Sequence, residues 1–278
     1  MLRLRISQFP RYCTRFCNSQ NSRYFSTHNK VSLQYISDLH IDSQKVTPTI
    51  KPKSKYLAIC GDIGQPYATN YKNFLKEQSD KFEKVFFVPG NHDFDLGPMY
   101  HRNRVEKWEP FVKNICNSFK NVHYLNCNTY NLNDDVLIAG SILWSKPMPR
   151  TDSVYSDNDP RVSRYLEHII EHNRHVDWIS GVINQNPNKK VIMLTHFVPT
   201  FKLIEEKYMA RGQYATSWFA TDLEHLIRSP IRVWICGHTH SVITAKVNGV
   251  KCAINAYGYG DENGYKDKEN IDKVIEID

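Results

Sequence analysis

Two short apolar runs in the second half of the chain each end directly in histidines. Residues 191–194 (Val-Ile-Met-Leu) precede His196. Residues 231–235 (Ile-Arg-Val-Trp-Ile) precede His238 and His240. Apolar runs of this length, bounded by polar residues, glycine or proline, are typical of buried strands. Side chains that follow such strands, where the chain turns, are well placed for metal or substrate chemistry. The feature therefore predicts a sheet that delivers its functional side chains at its strand ends.

The first half of the chain repeats this arrangement with carboxylates and an amide. The predicted strands cover residues 31–36, 56–60 and 84–88. They are followed by Asp38-Leu-His40, Gly61-Asp62 and Gly90-Asn-His-Asp93. A helical pattern over residues 70–81 separates the second strand from the third. Strand, helix and strand at this spacing predict a right-handed βαβ unit.

The rest of the chain continues as alternating helical and strand patterns. The pattern predicts helices over residues 98–120, 164–183 and 221–227, and strands at residues 122–125, 136–139, 142–144, 242–247, 250–255 and 274–277. Thr221 and Glu224 form a capping-box pattern at the start of the last helix. Hairpins are predicted near residues 130–135 and at residues 248–249. Because no repeat, low-complexity tract or linker divides residues 31–278, we expect a single domain there.

The net charge of the chain is unevenly distributed. The total is +7, and residues 1–37 account for +6 of it with five arginines, one lysine and no acidic residue. Residues 38–278 are therefore close to neutral, which argues against a nucleic-acid partner. No apolar run approaches the length of about 18 residues that a membrane span needs, so we expect none.

The arginine-rich start of the chain is typical of a targeting segment. Residues 1–30 contain no acidic residue and no apolar run of the kind that a secretory signal requires. We interpret them as a mitochondrial presequence, which predicts a mitochondrial protein. The alternative is a disordered tail or a misassigned start, and then a cytoplasmic protein.

The seven cysteines do not form a recognisable framework. Their number is odd and no Cys-x-x-Cys pair occurs. We therefore expect reduced thiols in strands or core, and neither a disulfide scaffold nor a zinc knuckle.

The residues after the predicted strands form one set of candidate ligands. The set comprises Asp38, His40, Asp62, Asn91, His92, His196, His238 and His240. Mixed oxygen and nitrogen donors suit a divalent ion such as Mn, Fe or Zn. They do not resemble the cysteine ligands of a structural zinc site. Seven ligands, the set without His92, are too many for one tetrahedral ion and suit two divalent metal ions that share a bridging carboxylate.

The order of these motifs resembles the calcineurin-like metallophosphoesterase superfamily. The motifs are D-x-H, G-D, G-N-H-D, a lone H and G-H-T-H, and the resemblance covers roughly residues 33–278. Each motif alone is weakly specific, whereas five in this order, each after a predicted strand, are highly specific. The resemblance implies an α/β fold, namely a four-layer α/β/β/α sandwich of two mixed sheets flanked by helices.

The resemblance also implies a role for each candidate residue. The first metal would be bound by Asp38, His40 and His240, and the second by Asn91, His196 and His238. Asp62 would bridge both. His92 would be catalytic without ligating a metal, by stabilising the phosphoryl charge or protonating the leaving oxygen, and Asp93 would help to set the local field. The implied activity is metal-dependent hydrolysis of a phosphomono- or phosphodiester by a hydroxide that the two metals activate.

The sequence also departs from one branch of the superfamily. Residues 61–64 (Gly-Asp-Ile-Gly) lack the arginine of the G-D-x-x-D-R-G motif of protein Ser/Thr phosphatases. We therefore favour a small phosphorylated substrate, possibly a nucleotide. A protein Ser/Thr phosphatase and a catalytically inactive binding or scaffold protein of the same fold are the alternatives. A nuclease is disfavoured by the neutral body.

Two loops, residues 145–163 and 200–220, are expected to face the substrate. The side chains available there for phosphate or nucleotide contacts are Arg150, Arg161, Lys202, Lys207, Tyr208 and Arg211.

Three further histidines lie at helical spacing outside this set. His168, His172 and His175 fall on one side of the predicted helix over residues 164–183, with Glu167, Glu171 and Arg174 beside them. We interpret them as part of a solvated helix face rather than a metal site.

Overall fold

The computed structural model describes residues 30–45, 47–94, 104–149, 160–260 and 271–278. The predicted presequence, apart from its last residue, lies outside these ranges. Among the helices of the described chain, none has the length and apolar character needed to cross a membrane.

Eleven strands and five α-helices make up the described regular structure. The strands are β1 Val31–Ile36, β2 Tyr56–Cys60, β3 Lys84–Val88, β4 Val122–Tyr124, β5 Asn128–Asn131, β6 Val136–Ser141, β7 Lys190–Thr195, β8 Ile231–Cys236, β9 Val242–Val247, β10 Val250–Asn255 and β11 Val274–Ile277. The helices are α1 Thr69–Lys81, α2 Arg104–Asn117, α3 Pro160–Gln185, α4 Glu206–Met209 and α5 Gln213–Thr216.

The strands form two mixed sheets, as predicted. The first has the order β11-β1-β2-β3-β4, in which β11 alone is antiparallel to its neighbour. The second has the order β5-β6-β7-β8-β10-β9, in which β6, β7, β8 and β10 run parallel and the two edge strands run antiparallel. Parallel neighbours place their carboxyl ends at one edge of the sheet, so the residues after β1, β2 and β3 converge there.

Alternating side chains on the buried strands build the layers. Ala58 in β2 packs with Leu194 in β7, between the two sheets. The next residue, Ile59, faces the other way and packs with Phe74 of α1. The second sheet packs its outer face against α3 in the same manner. This alternation of period two confirms the four-layer α/β/β/α sandwich.

The carboxyl ends of the two sheets are joined by backbone hydrogen bonds. Ser37, after β1, forms a parallel bridge with Ala256, after β10. Its N–H donates to the carbonyl of Asn255 at 3.0 Å. The Asn255 side chain in turn donates to the carbonyl of Tyr35 at 2.9 Å. Loops that follow different sheets are therefore fixed to each other at one end of the sandwich.

The prediction of a strand at residues 142–144 is wrong. The chain turns there, because Leu143 has a φ of 53°, in the left-handed region. The carbonyl of Ile142 instead accepts hydrogen bonds from the N–H groups of His196 and Phe197. The partner of β6 is β5, an exposed edge strand of polar sequence (Asn-Thr-Tyr-Asn) that carries no apolar alternation. The predicted hairpin near residues 130–135 is confirmed, since it joins β5 to β6.

The capping-box prediction at residues 221–227 is also wrong. Only a 3₁₀ turn, Glu224–Leu226, forms there. The hydroxyl of Thr221 accepts the N–H of Lys146 at 2.8 Å. The carboxylate of Glu224 accepts from the hydroxyl of Thr200 at 2.6 Å. Both side chains thus serve long-range contacts instead of capping a helix.

The three histidines of α3 are buried, which corrects their interpretation as a solvated face. His168, His172 and His175 are 4%, 3% and 0% exposed. Conversely, Leu166 is 50% and Ile170 63% exposed. The helix is therefore rotated so that a polar stripe faces inward.

The turn after β6 explains why this stripe is polar. The turn leaves backbone groups without a strand partner, and buried groups of that kind require hydrogen bonds. The N–H of Leu143 donates to Nδ1 of His175 at 3.0 Å. Nδ1 of His172 lies 2.6 Å from the carbonyl of Trp144 and donates to it. The histidines of α3 thus satisfy the backbone of the turn.

Burial of His175 predicts a pH-dependent stability. Burial lowers the pKa of His175 from its usual value of 6.5. The unfolded chain therefore binds a proton below pH 6.5 that the folded chain excludes, and stability falls as the pH falls. We expect His175→Asn to make this decline shallower by up to about 1.4 kcal/mol per pH unit, measured by urea unfolding between pH 7.5 and 5 with a chelator present.

The exposed His225 provides the matched control for that measurement. His225→Asn removes an exposed ring in place of a buried one, so the same measurement on this variant shows how much of any change comes from losing a histidine as such. If His175→Asn and the wild type lost stability in parallel as the pH falls, burial of the His175 ring would not be the cause.

Candidate metal centre

The fold brings all eight predicted site residues together at the joined ends of the two sheets. Asp38 and His40 follow β1, Asp62 follows β2, Asn91 and His92 follow β3, His196 follows β7, and His238 and His240 follow β8. The two halves of the sequence pattern therefore meet in one place, as the strand-end motifs predict.

The donor atoms fall into two groups with a shared carboxylate between them. Nε2 of His40 lies 3.0 Å from Nε2 of His240, which is 3.8 Å from Oδ1 of Asp38. Oδ2 of Asp62 lies 3.8 Å from Nε2 of His40 and 3.3 Å from Nε2 of His196. This placement agrees with the bridging role that the resemblance implies for Asp62, which stays a prediction.

The second group surrounds His196. Its Nε2 lies 3.1 Å from Oδ1 of Asn91 and 3.2 Å from Nδ1 of His238. The donors of Asp62, His196 and His238 lie within 4.8 Å of one another and could hold a metal ion, as could those of Asp38, His40 and His240.

The tautomer of His196 tests whether these residues fit a cation. Its Nδ1 is 2.9 Å from the carbonyl of Cys60, and since a carbonyl only accepts, Nδ1 carries the proton. Nε2 then directs its lone pair at the oxygens of Asp62 and Asn91, which are acceptors as well. Acceptors that face one another require a cation or an extra proton between them, so the donor set fits a metal ion.

The charges of the buried residues agree with that conclusion. Burial lowers the pKa of His196, but the carboxylates of Asp62 and Asp38 outweigh it and raise the pKa to about 9. Without a metal, a proton therefore occupies the position that the lone pair would offer to a cation. Burial lowers the pKa of His40 to about 3, which keeps this ring in the neutral form that metals bind.

The backbone of the site is held in an uncommon conformation. Five of the seven candidate ligands have a φ in the left-handed region: Asp38 (54°), His40 (41°), Asp62 (56°), His238 (71°) and His240 (50°). Residues with a Cβ each lose about 1–2 kcal/mol there. The rest of the fold holds these residues in place, which is a common property of functional sites.

Asp93 connects the two loops that carry Asp62 and Asn91. Its carboxylate accepts the N–H groups of Gly90 at 2.7 Å and of Asp62 at 2.8 Å. The hydroxyl of Tyr71 donates to it at 3.0 Å. Asp93 is fully buried, so its main effect is to fix the backbone of the site, in addition to any effect on the local field.

Asp38 is oriented in a similar way by residues outside the predicted set. The hydroxyl of Ser37 donates to Oδ2 at 2.5 Å. The N–H of His238 lies 3.0 Å from both carboxylate oxygens. Sequence reasoning missed Ser37, Tyr71 and the Cys60 carbonyl, because no spacing rule connects them with the ligands that they orient.

A cavity of about 210 Å³ opens beside the candidate ligands. Four of the eight predicted site residues line it, namely Asp62, His92, His238 and His240. The remaining lining residues are Ile204, Tyr208, Arg211, Phe219, Thr239 and Tyr259. The loop over residues 200–220 therefore contributes to the wall, as predicted.

The structure distinguishes among the side chains proposed for substrate contacts. Tyr208 and Arg211 line the cavity. Lys202 forms an ion pair with Glu224, and Lys207 forms one with Glu205. The remaining two, Arg150 and the side chain of Arg161, lie outside the described structure.

Tyr259 is a cavity residue that sequence reasoning missed. Its ring centroid lies 4.2 Å from that of His40 and 4.6 Å from that of His240. Its hydroxyl is 3.3 Å from Nε2 of His92. It follows the end of β10 in the sequence, but nothing in the local sequence indicates that it covers the rings of His40 and His240.

Comparison with known proteins identifies the family. A sequence model described as calcineurin-like phosphoesterase matches residues 35–242. The chain belongs to the calcineurin-like phosphoesterase family. As a member, it is a phosphoester hydrolase, and proteins of the family generally bind two divalent metal ions. Residue groups that could hold such ions are present here.

One relative of this phosphoesterase and one structural neighbour extend the comparison. "Uncharacterized protein L509" of Acanthamoeba polyphaga mimivirus is 32% identical over 260 residues, which cover 83% of this chain and 92% of the viral protein. The solved structure of Phosphopantetheinyl Hydrolase (PptH) from Mycobacterium tuberculosis is similar with a TM-score of 0.62 and 16% identity. The match covers 88% of this chain and 96% of that one. At such identity the likeness demonstrates a shared fold and leaves the substrate open.

Proposed function

We propose that this phosphoesterase hydrolyses small phosphate esters at two divalent metal ions. Asp38, His40 and His240 would hold one ion, Asn91, His196 and His238 would hold the other, and Asp62 would contribute to both. The observation that carries the proposal is the position of the Asp62 carboxylate between two groups of converging donors. When bound, the metals neutralise phosphate charge and lower the pKa of a water molecule.

In this proposal, His92 acts on the leaving group. It lines the cavity beside Asp62. Its backbone N–H donates to Oδ1 of Asp62 at 2.8 Å, and this bond fixes the position of the His92 backbone, from which the ring extends. Nε2 faces the hydroxyl of Tyr259, so the ring is also oriented from the solvent side. A protonated His92 can stabilise phosphoryl charge or donate its proton to the departing oxygen.

The size and walls of the cavity favour a small substrate. Its volume of about 210 Å³ is below the roughly 300–1,000 Å³ of pockets that enclose drug-sized ligands. It therefore accommodates the phosphoryl group and the first atoms of the leaving group. Aromatic rings of Tyr208, Phe219 and Tyr259 at the wall are suited to stack on a planar part of the leaving group, such as the base of a nucleoside. A nucleotide is our preferred substrate class.

The proposal is tested by metal-dependent turnover on a panel of esters. The full chain is loaded separately with Mn²⁺, Fe²⁺ and Zn²⁺. It is then assayed on a nitrophenyl phosphomonoester, the bis-nitrophenyl diester, nucleoside monophosphates, cyclic nucleotides, a phosphoserine peptide and a phosphopantetheinyl ester, the last because of the name of the structural neighbour. We expect turnover that requires metal and is highest on a nucleotide, with the monoester-to-diester ratio defining the reaction.

Two outcomes would contradict this proposal. Preference for the phosphoserine peptide would favour the protein Ser/Thr phosphatase alternative. Absence of turnover on every ester, with two metals shown to be bound, would favour the binding or scaffold alternative.

A further inference from the structure

We propose that Arg211 is the substrate-binding cation of this site and contacts phosphate oxygens at the mouth of the cavity. The inference rests on the proposed function, because it assigns a residue to the substrate of that same site. In this role Arg211 would help to determine which phosphate esters the site binds.

The local structure places Arg211 in the wall of the cavity. The residue follows α4, and its N–H donates to the carbonyl of Tyr208 at 3.1 Å, which continues the turn by one step. Gly212, with a φ of 88°, then redirects the chain into α5. Arg211 consequently lines the same cavity as Asp62 and His92, although it lies far from both in the sequence.

A neighbouring aromatic ring restrains the guanidinium. Its central carbon lies 5.1 Å from the ring centroid of Tyr208, which is within the range of a cation–π contact. The planar group is thereby limited to fewer orientations, and less entropy is lost when it binds an anion.

The charge balance of the loop singles out Arg211. Three cations lie in the loop over residues 200–220. Nζ of Lys202 is 2.6 Å from Glu224, and Nζ of Lys207 is 2.8 Å from Glu205. Among the residues that the structure describes, no carboxylate lies within ion-pair distance of Arg211. The cation that lacks a carboxylate partner is thus the one that lines the cavity.

The chemistry of the cavity indicates what this cation binds. The candidate ligands Asp62, His238 and His240 line the same cavity as Arg211, so phosphate oxygens that do not face the ligands are within the same enclosed space as this guanidinium. A guanidinium presents a planar fork of donors that fits two phosphate oxygens at once. The expected partner is therefore a phosphate, either the group that is hydrolysed or a second phosphate on the same substrate.

The experiment compares three variants of the full, metal-loaded chain: Arg211→Met, Arg211→Lys and the control Lys207→Met. Affinity for inorganic phosphate is measured by titration calorimetry. KM and kcat are measured for a nucleoside monophosphate and for the corresponding bisphosphate. Arg211→Met should weaken phosphate binding about tenfold and raise KM by a similar factor. Arg211→Lys should recover part of the loss, because it keeps the charge but not the fork.

The control separates this effect from a general loss of positive charge. Lys207 contacts the same Tyr208 ring, at 4.8 Å, yet it is paired with Glu205. Lys207→Met should therefore bind phosphate like the wild type. A change in KM for the bisphosphate alone would assign Arg211 to the second phosphate and would support the proposal in that form.

The outcomes separate failure of the role proposed for Arg211 from failure of the proposed hydrolase function. If Arg211→Met bound phosphate and both nucleotides like the wild type, the role of Arg211 would be overturned and the hydrolase would stand. If the wild type hydrolysed no ester, the proposed function would fail, and calorimetry, which needs no turnover, would still decide whether Arg211 binds phosphate.

Discussion

An Asp62→Asn variant is expected to lose about a thousandfold in kcat on any ester that the wild type hydrolyses. The substitution keeps the shape of the side chain. Oδ1 can still accept the N–H of His92, a bond of 2.8 Å in the wild type. Oδ2, which faces His40 and His196, is replaced by an amide nitrogen that cannot serve as a ligand. The loss is therefore confined to the charge and the donor atom that the two candidate metal sites share.

Metal content and stability are measured on the same preparation. We expect Asp62→Asn to retain fewer than two ions per chain in elemental analysis. In chelator it should unfold at a lower urea concentration than the wild type, because the protonated His196 loses its buried carboxylate partner. The control is Asp80→Asn, which removes a carboxylate that is exposed and paired with Lys76 one helical turn away, and such pairs contribute little to stability. Full metal content together with full activity in Asp62→Asn would disprove the shared role of this carboxylate.

A Gly61→Ala variant is expected to lose about 3 kcal/mol or more of unfolding free energy, together with most of its metal affinity. Gly61 has a φ of 89°, a conformation that side chains rarely adopt. A Cβ at this position would lie 2.2 Å from Nδ1 of His196 and 2.8 Å from Cα of Gly90. The His196 ring would have to move and would lose its hydrogen bond to the carbonyl of Cys60.

Gly249 offers a matched control for the cost of placing a Cβ on a backbone with a positive φ. Its φ of 85° is nearly the same, but no atom lies within 4 Å of the Cβ that an alanine would add. Gly249→Ala should therefore cost only about 1 kcal/mol in urea unfolding and leave metal binding unchanged. The difference between the two variants measures the clash with His196. Equal losses would mean that backbone strain alone accounts for Gly61.

Most of the secondary structure was predictable from local pattern. Strands such as β1 and β8 are short apolar runs with polar ends, and their bounds follow from that contrast. The segments that were predicted wrongly lack this contrast between an apolar run and polar ends. β5 is polar because it is an exposed edge, and residues 142–144 are apolar because they are buried, although they form a turn. Burial produces the same composition in a strand and in a buried turn, so composition could not distinguish the two.

The sequence by itself determined which residues make up the candidate metal centre. The eight side chains from Asp38 to His240 each follow a recognisable strand, and parallel strands deliver their ends to one edge, so their convergence follows from topology. Only the tertiary structure decided that His175 is buried, that Asp93 and Ser37 orient the loops, and that Tyr259 covers the rings of His40 and His240. It also decided that Arg211, and neither Lys202 nor Lys207, faces the cavity without a carboxylate partner among the described residues. The physical reason is that these properties depend on which distant groups a side chain meets, and the periodicity of a single segment carries no information about its partners.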